Sequence, residues 1–214
     1  MSVSAVSPAV APIVAEPPAP CPPPYLTLEE ARAAADQLLS PSAQGAPVDD
    51  ALLLKIERFL RMEARLLDEE KFRAWYDLLA EDLFYWAPVR ESRYRRDKRP
   101  EITYAGMTFF DDRKADIDTR LKRLETGMAW SEDPPTRHVY AITNVEAFET
   151  DVEGEYEVHS IFTQYRHRAD YDASTLMGRR RDILRVDGAG FLIAKRLILL
   201  QQSVLPAKNI SVFF

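Results

Sequence analysis

The stretch TLMGRRRDILRVDGAGFLIAKRLILLQQ, residues 175–202, decides the fold. It divides into two long β-type segments, Thr175 to Val186 and Phe191 to Gln202, joined by the short Asp187-Gly188 link. A link that short leaves room only for an antiparallel pair. Two more segments of the same kind precede it, Thr136 to Glu149 and Glu155 to Arg168, separated by Gly154 and by the polar loop from Ala169 to Ser174. The second half of the chain therefore reads as an antiparallel meander. Strands of about 12 residues exceed the usual 5–6, so they must bend, and a bent sheet wraps whatever covers it.

The first half supplies the cover. Thr27 followed by Glu30 is a capping-box pattern that opens an Ala- and Leu-rich helix ending near Ser40-Pro41. Asp49 caps a second helix, in which Leu53, Ile56, Leu60, Ala64 and Leu67 step by three and four along one face. Phe72, Trp75, Tyr76 and Leu79 continue as a third, aromatic-faced helix. Leu83 to Val89 and Ile102 to Phe110 read as short strands around the charged Arg90 to Arg99 loop, and Arg113 to Glu125 as a last helix stopped by Gly127. The expected fold is α+β, with N-terminal helices laid on one face of a strongly curved antiparallel sheet that forms a cone. Residues 1–24 hold 8 of the 15 prolines and read as a Pro/Ala-rich arm, mobile or extended; residues 25–214 read as a single α+β cone domain.

Composition narrows the chemistry. The chain has 214 residues, 46% of them hydrophobic and 29% charged, enough for one good core. Its 28 Lys+Arg against 34 Asp+Glu give a formal charge of -6, which disfavours nucleic acid as a partner. The most apolar run, Phe191 to Leu200, is interrupted by Lys195 and Arg196 and falls short of the roughly 18 residues a membrane span needs. No membrane partner is expected, and a cytoplasmic location is. Cys21 is the one cysteine, so neither an intrachain disulfide nor a thiolate-held iron–sulfur cluster is expected here. His159 and His167 lie eight residues apart on one strand, about 26 Å at full extension, too far to share a metal. His138 would have to reach one of them from a neighbouring strand. No Gly-rich phosphate loop or nucleophile elbow is present.

Three functional readings remain, the third being a small-ligand binding module that binds without turnover. In the first, a cone encloses a cavity in which Asp82, Tyr104 and His138, with Tyr140 nearby, perform acid–base chemistry of the isomerase, cyclase or dehydratase type. In the second, the chain is an assembly module. Arg93, Arg95, Arg96, Lys98 and Arg99 crowd one loop, and Arg179, Arg180, Arg181 and Asp182 crowd one strand. Arginine at such density is enriched at protein interfaces because its planar fork pairs bidentately with carboxylates. Leu205, Ile210, Val212, Phe213 and Phe214 are too apolar to remain uncovered, and truncation from Ser211 is expected to weaken assembly.

In this order the residues resemble a known family, the β (small) subunits of bacterial aromatic-ring-hydroxylating dioxygenases of the biphenyl, toluene and cumene type. The resemblance runs from about Leu53 to Phe214. It is carried by Phe59-Leu60-x-x-Glu63-Ala64-Arg65-Leu66-Leu67-Asp68, by Phe72-x-x-Trp75-x-x-Leu78 and by Tyr85-x-x-Pro88-x-Arg90. Thr136-Arg137-His138 with Asn144, Gly178-Arg179-Arg180-x-Asp182-x-Leu184-Arg185 and Asn209-Ile210-Ser211-Val212-Phe213-Phe214 complete it. Leu199-Leu200-Gln201-Gln202 departs from the Leu-Asp-Gln of many relatives, and the arm before Thr27 is longer.

The resemblance implies a ketosteroid-isomerase-like cone without catalytic residues, acting as a structural subunit. It also implies β trimers beneath catalytic α subunits in an α3β3 hexamer, with the Rieske [2Fe-2S] cluster and the mononuclear non-haem iron held by the α subunit. The reaction implied is NADH-driven cis-dihydroxylation of aromatic hydrocarbons, with Arg95, Arg96, Arg179, Arg180, Arg181, Asp182, Leu205, Phe213 and Phe214 at subunit contacts.

Overall fold

The computed structural model of the chain describes residues 26–40, 45–126, 136–168, 172–202 and 213–214. The arm over 1–24, the Gly127 stop, and Leu205, Ile210 and Val212 lie outside the described residues.

Helix α1 spans Leu28–Leu39, and Thr27 caps it as the pattern predicts: its hydroxyl accepts from the Glu30 amide at 3.2 Å while Glu30 accepts from the Thr27 amide at 2.7 Å. Helix α2 runs Asp50–Asp68, started by Asp49, whose carboxylate accepts from the Leu52 amide at 2.7 Å. Helix α3 is a short turn, Phe72–Tyr76, and α4 covers Lys114–Glu125. The strands are β1 Leu79–Pro88, β2 Thr108–Asp112, β3 Arg137–Glu149, β4 Glu155–Arg168, β5 Asp172–Asp187 and β6 Gly190–Leu200. They form one six-stranded sheet in the order β2-β1-β6-β5-β4-β3. Tight turns at Gly154 and Gly188, both at positive φ, connect the long hairpins.

Three differences from the sequence reading matter. β1 pairs parallel with β6, so the sheet is mixed rather than wholly antiparallel; the other neighbours are antiparallel. The second short strand begins at Thr108 rather than Ile102. Helix α1 does not share a face with the other helices. Its Ala31, Ala34, Ala35 and Leu38 pack with Ala80, Phe84, Trp86, Ile183, Ala194 and Leu197 on the outer face, away from α2, α3 and α4. The physical reason lies in β1, where Leu83, Tyr85 and Ala87 join the inner core while Phe84 and Trp86 join the outer cluster. A strand apolar on both faces needs cover on both.

Irregular pairing marks where the long strands depart from flat geometry. In β3 the register shifts between Thr143 and Glu146, where Asn144 has φ 52°. In β6 one residue is inserted at Ala194, since Ile183 pairs with Lys195 but Leu184 with Ile193. Such bulges bend and twist a strand. The inner face is closed by α2, α3 and α4 and by Phe213 and Phe214, which are buried.

Candidate functional site in the cone interior

The inner face carries a charge cluster that the surrounding apolar core isolates from water. Glu63 enters from α2, while Asp182 of β5 and Arg196 of β6 are register partners. Arg196 donates from Nε and Nη2 to the two Asp182 oxygens, each at 2.8 Å, a bidentate pair. Its Nη2 also reaches Glu63 Oε2 at 3.1 Å, and its Nη1 reaches Glu63 Oε1. Arg180 Nη1 lies 3.3 Å from Glu63 Oε2, and the Trp75 indole donates to Glu63 Oε1 at 3.1 Å. Glu63, Asp182 and Arg196 are 0% exposed and Arg180 is 1% exposed, so two cations and two anions balance inside the core.

Burial alone would raise the Glu63 carboxyl, but the Arg196 and Arg180 guanidiniums and the hydrogen bonds from Arg196 and Trp75 outweigh it and hold it at about 2. Burial and the neighbouring Arg196 push Arg180 down. Burial acts against charge on Arg196 too, yet Asp182 and Glu63 hold it well above the usual arginine value.

This cluster grips Phe214. Arg196 Nη1 donates to the Phe214 main-chain oxygen at 2.8 Å, and the Tyr85 hydroxyl donates to the same oxygen at 2.9 Å while accepting from the Phe214 amide at 2.6 Å. The Tyr140 hydroxyl donates to the Phe213 oxygen at 2.6 Å and accepts from Gln164 at 2.8 Å. Gln164 also meets His138 Nδ1 at 3.2 Å. The Phe213 ring stacks on Trp75 at 4.5 Å, and Phe214 packs on Phe162 and Phe110 at 5.3 and 6.3 Å.

These contacts correct the expected interface. Arg180, Asp182, Phe213 and Phe214 are not surface groups; they are buried within the subunit and hold its core together. Alternation along β5 separates them from exposed Arg179 and from half-buried Arg181, whose Nη1 donates to the main-chain oxygens of Leu38 and Ser40 at the end of α1. Arg95 and Arg96 are exposed, Arg96 lying over the Tyr94 ring at 5.4 Å.

The acid–base alternative also meets its geometry. Asp82 is exposed and bound by both Arg185 Nη atoms at 2.8 and 2.9 Å. Tyr104 donates to Asp111 at 2.9 Å and packs on Phe84 and Trp86 of the outer cluster. His138 alone of the three is inside, so the fold does not bring them together. Of the other histidines, His159 pairs with Glu157 at 2.7 Å and His167 stacks on Tyr165. Among the described residues no group of three His, Cys, Asp or Glu side chains is placed to hold a metal ion.

Comparison with known proteins places the chain in a family. A family model described as the ring hydroxylating beta subunit matches residues 62–207. The chain belongs to the β subunits of ring-hydroxylating dioxygenases. This β subunit is 41% identical over 172 residues to the biphenyl 2,3-dioxygenase subunit beta of Rhodococcus jostii (strain RHA1), covering 79% of this chain and 92% of that one. It is 41% identical over 174 residues to a benzene 1,2-dioxygenase subunit beta of Pseudomonas putida, with the same coverages. Its fold matches a naphthalene 1,2-dioxygenase solved with indole in the active site, at a TM-score of 0.71 and 20% identity, covering 88% of this chain and 95% of that one. As a β subunit the chain is a component of an oxygenase complex, and an α-subunit partner follows from that membership.

Proposed function

We propose that this chain is the non-catalytic, structural β subunit of a multicomponent dioxygenase acting on aromatic hydrocarbons, assembled with its catalytic partner as an α3β3 hexamer around a β trimer. The Rieske cluster and the mononuclear iron belong to that partner, and the complex works in the cytoplasm, where NADH supplies the electrons. One observation carries the reading: the cone interior, where a small molecule would otherwise react, is filled by the chain's own aromatic side chains and a charge-balanced cluster.

Contacts with other subunits fall to what remains on the surface. Arg95, Arg96 and Arg179 are exposed, and so are Val139, Tyr165 and Met177 on the long hairpins. Val139 and Tyr165 are register partners on β3 and β4, and Met177 sits two residues along β5 from the Tyr165 partner Thr175. Apolar groups of this size, flanked by arginines, have the composition of interface cores.

The deciding experiment is purification of the tagged chain from its native cells, followed by native mass and a visible spectrum. A brown complex with a larger iron-containing chain at a one-to-one ratio, three copies of each, is the expected result. A colourless oligomer of this chain alone would overturn the reading.

A further inference from the structure

A sheet curled this far encloses volume that must be filled, because protein interiors are packed as densely as organic crystals. Here the filling is Phe213 and Phe214, separated from the end of β6 by a segment outside the described residues. The way they are held is that of a bound ligand. Aromatic side chains, Trp75, Phe110 and Phe162, take the rings. Convergent donors, Tyr85 and Arg196 on one carbonyl and Tyr140 on the other, take the acyl oxygens. A mostly apolar cavity with a few converging polar groups is what small-molecule sites look like.

A second observation sits beside the first. Arg180 is 1% exposed, yet its Nε and Nη2 have no hydrogen-bond partner among the described residues. The Oγ of Ser160, its register partner on β4, has none either. The Arg180 guanidinium lies 6.0 Å from the Phe162 ring, which in turn packs on Phe214. Buried donors left unused cost stability, so they mark capacity for an acceptor.

We propose that the cone interior is a binding site for an aromatic ring bearing a carbonyl or carboxylate, occupied in cis by the Phe213–Phe214 segment. Vacating that segment leaves the aromatic walls, the Tyr85 and Tyr140 hydroxyls and the Arg180 and Arg196 donors in place, and an aryl acid or N-acyl aromatic amide satisfies both sets. The site is separate from the arene chemistry of the dioxygenase, and it stands whichever partner the chain assembles with.

The test uses the full chain carrying F213A and F214A together, with thermal unfolding and calorimetric titration against phenylacetate, N-acetylphenylalaninamide and, as a ring-free control, acetate. At a ligand concentration one hundred times its dissociation constant, the ring-bearing probes are expected to raise the midpoint of the variant by about 5–10 °C. Acetate leaves it unchanged, and the unsubstituted chain responds to none of the three. A folded variant that neither ring-bearing probe stabilises overturns the proposal, and so does an unsubstituted chain that binds them equally well. Should the double variant fail to fold, it is refolded with N-acetyl-Phe-Phe-amide. Recovery of the near-ultraviolet aromatic signal supports the site, and its absence overturns it.

Discussion

At the residue scale, the molecule concentrates its risk in four side chains. Breaking a buried ion cluster by neutralising one member strands the others without compensation, at a cost of about 3–5 kcal/mol. Glu63→Gln removes the anion that faces both Arg180 and Arg196, and urea unfolding at neutral pH is expected to register a loss of that size. The pH dependence has a defined sign. The Glu63 carboxyl titrates near 2 when folded, below its ordinary value of 4.5, so its contribution is complete above the ordinary value and disappears as pH falls toward 2. The gap between the native chain and E63Q should therefore narrow across that window, and a gap that is constant from pH 7 to pH 2 would refute the assignment. Gly178 makes a different demand. A Cβ there would lie 2.6 Å from the buried Phe162 ring and 2.7 Å from the Leu199 carbonyl oxygen. Gly178→Ala is expected to cost about 1–3 kcal/mol by overpacking, read as a lower denaturation midpoint with an unchanged slope. Part of this was legible in the sequence. Ile56, Leu60, Glu63 and Leu67 fall on one helical stripe, and Leu176, Gly178, Arg180 and Asp182 on one face of a strand, so period alone places Glu63, Arg180 and Asp182 inside. Density of charge suggested an interface instead, because a run of arginines reads as surface until its alternation is separated.

At the scale of elements, the four long strands, the capped α1 and α2 and helix α4 follow from local signals, since caps, periodicity and glycine turns are encoded within a few residues. What was not legible is pairing between distant segments. Nothing near β1 states that it lies parallel to β6, and a helix face that is mainly alanine does not state which side of a sheet it will cover. The double-sided apolar pattern of Leu83 to Ala87 was the available signal. Helix α1 is held on the outer face by small residues, by Lys195 donating to Gln37 at 2.7 Å and by Arg181 at its end. Ala35 is fully buried there. Ala35→Glu places an unpaired charge in that seam and is expected to release α1 while the sheet stays folded. Hydrogen exchange would show loss of protection over residues 28–39 with the β5 and β6 amides unchanged. Global unfolding in the same experiment would mean that α1 and the sheet form one cooperative unit.

At the scale of the whole molecule, most inward-facing groups pair with one another, Arg180 and Ser160 keeping unused polar atoms, while the outer face of the long hairpins exposes apolar side chains beside Arg179. That division suits a subunit whose fold is complete alone but whose surface is not. Val139, Tyr165 and Met177 are 58%, 46% and 45% exposed, and they lie on three neighbouring strands, β3, β4 and β5. They face away from the core that holds Tyr140, Gln164 and Leu176. Replacing them together with V139E, Y165E and M177E leaves every contact of the Glu63 cluster in place, so the denaturation midpoint of the isolated subunit should move little. Central apolar residues of an interface each cost about 1–2 kcal/mol or more when lost, so three of them are expected to weaken assembly at least a hundredfold. Native mass of the co-expressed complex would then show free β subunit in place of the complex with the α subunit. An intact complex from the triple variant would remove this face from the contact surface and leave Arg95, Arg96 and Arg179 to be replaced next.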